Sequence, residues 1–148
     1  MSSAGDGGGV VNDSNRKGRI LVVDDDEQVA DLVSDYLIRA GYNTAVAYGG
    51  TDGLNRFRDG DFQMVLTDMK MPEMDGVELL EAVKAIKNDV IVIIITAYST
   101  IDAAADAIKL GAFDFISKPF ELESLKEIVD RGFEQRRPSK LSRIFQRS

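Results

Sequence analysis

Two residue types are missing altogether: the 148-residue chain has no cysteine and no histidine. That removes disulfides, thiol nucleophiles, zinc sites of the usual Cys and His kind, and imidazole as a base. Whatever chemistry the chain performs must come from oxygen ligands and carboxylates. Long apolar runs are missing too, since nowhere do about 18 apolar residues follow one another. The opening stretch MSSAGDGGGVVNDSN has no basic region followed by an apolar core. Secretion and membrane spanning are therefore not expected, and a cytoplasmic location is.

Acid outweighs base, giving a formal charge of −7, but the balance is uneven. From Gln135 to the end there are five Lys or Arg and no acid, so the remainder carries −12. An acidic body argues against direct nucleic-acid binding. Three regions are expected: a flexible leader over residues 1–17, rich in Gly, Ser, Asp and Asn; one folded domain over 18–136; and a basic tail or linker over 137–148. The tail reads either as a linker or as an arm for an acidic partner.

Within the body, short apolar runs alternate with longer amphipathic stretches. Strands are expected near 19–23, 43–47, 64–67, 90–95 and 113–117, and helices near 27–40, 51–59, 75–86, up to 110, and 122–136. Asp75 stands three residues before Glu78, the spacing of a capping box, and Ser99 and Thr100 offer caps for the fourth helix. The run VIVIII at 90–95 is too continuous for a strand with one wet face, so it belongs inside a sheet covered on both sides. Five strands alternating with five helices imply an α/β, doubly wound, five-stranded parallel sheet, with helices on both faces.

Four aspartates stand where apolar strands end: Asp24, Asp25 and Asp26 after ILVV, and Asp68 after MVLT. Crowded carboxylates repel and raise one another's pKa, so a fold that gathers them commonly holds a cation or runs phosphoryl chemistry. Thr96 ends the fourth strand and Lys118 the fifth. In parallel sheets ligands gather beyond the carboxyl ends of the strands, so these groups are expected in one crevice. Taken singly, Thr96 is a β-branched strand end, Lys118 a surface lysine, Phe115 a core aromatic and Asp26 a helix cap. The shared crevice is what gives Asp24, Asp25, Asp68, Thr96 and Lys118 a joint meaning.

VVDD at 22–25, DMKMPEMDG at 68–76, TA at 96–97 and KPF at 118–120 resemble the receiver domain of two-component response regulators. The stretch AAADAIKLGAFDFISKPF at 103–120 looks most like receivers of the nitrogen-regulation class. The resemblance implies a flavodoxin-like fold with strand order 2-1-3-4-5. It implies that Asp68 accepts a phosphoryl group, that Asp25, Asp68 and the backbone carbonyl of Lys70 coordinate Mg²⁺, and that Asp24 acts through water. Lys118 and the Thr96 hydroxyl would contact the phosphoryl oxygens, and the Lys118–Pro119 peptide would be cis.

By the same resemblance Phe115 occupies a switch position. Phosphorylation would draw Thr96 inward, let the Phe115 ring turn in, and reshape the face made by the fourth helix, fifth strand and fifth helix. Lys70 and Tyr98 occupy positions that tune phosphoryl lifetime. Having no histidine, the chain needs a separate histidine kinase or phosphotransfer protein as donor. Helix one is the expected docking element, with Val29, Val33 and Leu37 equally explained as core. A homodimer through the fourth helix, fifth strand and fifth helix is plausible from the class. The expected role is regulatory rather than enzymatic, limited to taking up phosphate and slowly losing it.

Two rivals remain. A phosphatase resembling the haloacid dehalogenases would use Asp24 and Asp26 with Thr96 and Lys118, but it leaves Asp68 and MPEMDG unexplained and has little room for a substrate cap. A degenerate receiver serving only as a binding module is disfavoured by the intact acidic set.

Overall fold

A computed structural model describes residues 16–97 and 101–136. Ten elements alternate: β1 (Arg19–Val23), α1 (Glu27–Arg39), β2 (Asn43–Ala47), α2 (Gly50–Asp59), β3 (Met64–Asp68), α3 (Gly76–Ile86), β4 (Ile91–Thr96), α4 (Ile101–Lys109), β5 (Asp114–Ser117) and α5 (Leu122–Arg136). The strands form one parallel sheet in the order β2-β1-β3-β4-β5. Strand order reverses between β1 and β3, so a crevice opens above their carboxyl ends.

Alternation along each strand sorts the apolar residues onto two faces. Ile20, Val22, Met64, Leu66, Ile93 and Ile95 pack against α1 and α5. Leu21, Val23, Val65, Val92 and Ile94 pack against the side that carries α2, α3 and α4. All six residues of β4 are buried, as the unbroken apolar run requires of a strand covered on both sides.

Element ends differ from the sequence expectations by about a residue. Strand β3 extends to Asp68 and β4 runs Ile91–Thr96 rather than 90–95, because the ladder continues through Asp68↔Ile95 and Thr96↔Ser117. Helix α2 starts at Gly50, with Gly49 as its N-cap, instead of at Thr51. Asp75 and Glu78 form the expected reciprocal capping box on α3. The caps expected at Ser99 and Thr100 lie outside the described residues.

Arg16 and Lys17, at the inner end of the leader expected over 1–17, are held to the domain. The Arg16 guanidinium donates to the Ile38 carbonyl at 2.6 Å, Lys17 N–H donates to the Gly41 carbonyl at 2.9 Å, and the Lys17 ammonium lies over the Tyr42 ring. The end of α1 and the turn after it thus gain extra donors, a guanidinium for the Ile38 carbonyl and a backbone N–H for that of Gly41. Tyr42 in turn stacks on Phe133 with centroids 5.0 Å apart, and its hydroxyl donates to the Asp130 carboxylate, tying α5 to the entry of β2.

Candidate functional site

Asp24 follows β1, Asp68 ends β3, Thr96 ends β4 and Lys118 follows β5, so parallel pairing alone brings their backbones to one edge. The side chains then meet. The Lys118 ammonium donates to Asp24 Oδ2 at 3.0 Å and to Asp68 Oδ2 at 3.4 Å. The Lys118–Pro119 peptide is cis, as the resemblance implied. Asp24 and Asp68 are buried and Asp25 is exposed, yet oxygens of all three carboxylates lie within 4.8 Å of one another.

Burial pushes the Asp68 carboxyl above the ordinary aspartate range, and Asp24 pushes it the same way; Lys118 opposes both. Burial works to lower the Lys118 pKa, but the hydrogen bond and attraction of Asp24, then of Asp68, outweigh it and hold the ammonium above the ordinary lysine range. The site thus carries two buried negative charges bridged by one cation, with a third carboxylate at its mouth. Such an arrangement has unspent capacity for positive charge.

Asp26 does something else. Its carboxylate accepts from the backbone N–H groups of Gln28 and Val29, capping α1, while its own N–H donates to Asp24 Oδ1. This supports the capping reading of Asp26. Asp26→Ala should therefore cost about 1 kcal/mol in a denaturant melt; a variant as stable as the wild type would contradict the cap.

Thr96 is 2% exposed, and its hydroxyl donates to the Met69 sulfur at 3.7 Å, a contact between residues 27 apart that no local motif announces. Phe115 is half-buried against the α2–α3–α4 side of the core. Asp24, Asp68 and Lys118 follow the strand alternation of the opposite face, so the acids and lysine sit over α1 and α5 while Thr96 and Phe115 belong to the other layer. Lys70 is exposed and lines a cleft with Met71 and Pro72. Tyr98 lies outside the described residues.

Of the two readings open for Val29, Val33 and Leu37 on helix one, the structure supports core. Val33 and Leu37 are fully buried core, and Val29 is half-buried against it, because the apolar stripe of α1 faces the sheet. The most exposed large apolar residue on that helix is Leu32, at 57% exposure, which lines a cavity of about 400 Å³ with Val29, Lys118, Pro119 and Phe120; Ile38, near the helix end, is exposed as well. Leu32 shares the helical spacing of Val29, Val33, Tyr36 and Leu37, and spacing alone does not say that the sheet leaves it uncovered.

Residues 20–130 match the family model described as response regulator receiver domain. The chain is 39% identical over 113 residues to the transcriptional regulatory protein ZraR of Salmonella typhimurium, covering 76% of this chain and 26% of that protein. It is 33% identical over 135 residues to the DNA-binding transcriptional regulator NtrC of Proteus hauseri, covering 88% of this chain and 28% of that one. The chain thus spans about a quarter of the length of such curated relatives. The crystal structure of the receiver domain of NtrX from Brucella abortus superposes with a TM-score of 0.74 at 33% identity, covering 78% of this chain and 98% of that one.

Proposed function

We propose a function from one premise: this chain belongs to the response regulator receiver domain family, on its nitrogen-regulation side. Asp68 is the acceptor of a phosphoryl group from the phosphohistidine of a histidine kinase or phosphotransfer protein. The observation that carries this reading is the Lys118 ammonium bridging Asp24 and Asp68 at the carboxyl edge of the sheet.

Asp68 Oδ attacks phosphorus, an O–P bond forms, and the P–N bond of the donor breaks with the electron pair leaving on the imidazole nitrogen. Lys118 binds a phosphoryl oxygen and offsets its charge, and the Thr96 hydroxyl donates to another after transfer. Attack of water on phosphorus later returns Asp68 and releases inorganic phosphate. By the resemblance, Lys70 and Tyr98 stand at motif positions that tune its rate. The chemistry is that of a regulator, not of a metabolic enzyme.

The donor set is all oxygen, with three carboxylates in mutual reach and no nitrogen or sulfur ligand among them, which fits Mg²⁺. Asp25, Asp68 and the Lys70 carbonyl would hold the ion and Asp24 would orient its water. Bound there, it would supply charge neutralisation to the phosphoryl oxygens.

The output is a change at α4, β5 and α5. Thr96 moving toward the phosphoryl group vacates room in the layer where Phe115 packs, and the ring follows it inward. That face then meets the next component, a second copy of the chain being one candidate.

Incubation with acetyl phosphate and Mg²⁺ tests the core of the reading by intact-mass and peptide mapping. One phosphoryl group should appear on Asp68 and vanish in Asp68→Asn. Modification of Asp24 with rapid turnover would favour a phosphatase instead, and no modification would favour a binding module.

A further inference from the structure

Met69 directly follows Asp68 in the chain, with its side chain in the layer of Thr96. Its backbone is pinned on both sides: its N–H donates to the Ile95 carbonyl at 2.9 Å, and its carbonyl accepts from Gly76 N–H at 2.8 Å. Its side chain is half-buried, accepts the Thr96 hydroxyl on sulfur, and lines two clefts at once. One cleft, of about 530 Å³, opens beside Lys70, Met71 and Pro72; the other, of about 420 Å³, lies between α3 and α4 beside Val77 and Lys109. A small solute entering either cleft meets the same methionine.

We propose that Met69 is the resting latch of the Thr96 hydroxyl and an oxidation site: peroxide converts its sulfur to a sulfoxide that tightens the latch and weakens phosphoryl capture. The idea rests on the reading of Thr96 as a phosphoryl ligand. A thioether is a weak acceptor, so Thr96 leaves it readily for a charged phosphoryl oxygen. A sulfoxide oxygen is a dipolar acceptor on the same side chain and competes for the hydroxyl far better. The step balances with hydrogen peroxide as oxidant: its O–O bond breaks, one oxygen bonds to sulfur, sulfur gives up two electrons, and water leaves. Sulfoxide reductases reverse it, which would make the brake a switch rather than damage.

Beryllofluoride, a mimic of the bound phosphoryl group, is titrated by NMR in Mg²⁺ into wild type and Met69→Leu, each before and after hydrogen peroxide, with oxidised methionines mapped by mass. Oxidised wild type should bind about tenfold more weakly, with a shifted Thr96 resonance, and sulfoxide reductase should restore both. Met69→Leu should keep its affinity through the same treatment while Met71 and Met74 take up oxygen. Equal loss in Met69→Leu, an oxidised Met69 with unchanged affinity, or a Met69 that resists peroxide while Met71 reacts would each overturn the latch alone. No beryllofluoride binding to untreated wild type would instead overturn the phosphoacceptor reading, and the latch with it. Should Met69→Leu fold poorly, a peroxide time course on wild type decides: the loss of affinity must follow the sulfoxide at Met69, and a loss that follows Met71 or Met74 overturns the latch.

Discussion

Lys118→Ala should lower the rate of Asp68 labelling by acetyl phosphate by roughly two to three orders of magnitude, the usual effect of removing a donor aimed at developing charge. It should also destabilise the fold, because Asp24 and Asp68 are both buried and lose the cation that bridges them. About 2 kcal/mol is expected for stranding buried charge in this way, measured by urea melts. The defects separate in the double variant. Lys118→Ala with Asp68→Asn cannot be labelled but should recover stability, since one of the two repelling carboxylates is gone.

The pH dependence has a definite sign. The folded state holds the Asp68 proton more tightly than the unfolded chain, so this group contributes stability that is present at low pH and lost as pH rises through its raised folded-state pKa. Removing Lys118 removes the influence that opposes the upward shift. The labelling defect of Lys118→Ala should therefore deepen as pH falls, because less Asp68 is ionised and able to attack. A labelling ratio between variant and wild type that stays flat with pH would contradict this account.

Gly76→Ala is the second large effect. Gly76 is buried at the start of α3, and a Cβ built there lies 2.9 Å from Met69 Cα and closer still to the Asp68 carbonyl oxygen. Both neighbours are backbone, held by the β3–β4 ladder and by the Gly76 to Met69 hydrogen bond, so neither can rotate away. Overpacking against side chains costs about 1–3 kcal/mol, and a backbone obstacle belongs at the upper end or beyond. Against a total of about 5–15 kcal/mol, that is a large fraction of the fold's stability. At a temperature where circular dichroism shows the variant folded, labelling of Asp68 should still be impaired, because relief of the clash displaces the nucleophile. Wild-type stability and labelling together would mean that the α3 start can shift at no cost.

Much of this was legible in the residues. Parallel strands buried on both faces must be written as unbroken apolar runs, so ILVV and VIVIII announced themselves, and carboxylates closing such runs mark the edge where parallel sheets bind ligands. Helix α1 shows where legibility stops. Helical spacing identified an apolar stripe, but not whether the sheet or a partner covers it; the sheet covers Val33 and Leu37, and Leu32 is left outside. The anchoring of Arg16 and Lys17 is illegible in the sequence for a related reason, since they are held by Ile38, Gly41 and Tyr42, more than twenty residues away.

By itself, then, the sequence determined the alternation of elements, the parallel sheet and the set of acids and lysine at its edge, because periodicity and strand ends are local properties of the chain. Only the tertiary structure decided how those groups divide. Asp26 turned inward to its own helix, Lys118 bridged Asp24 and Asp68 over one layer, and Thr96 was handed to Met69 in the other. Each of these is a competition among partners for one hydrogen-bonding group, and the winner depends on distances that packing sets between residues far apart in the chain.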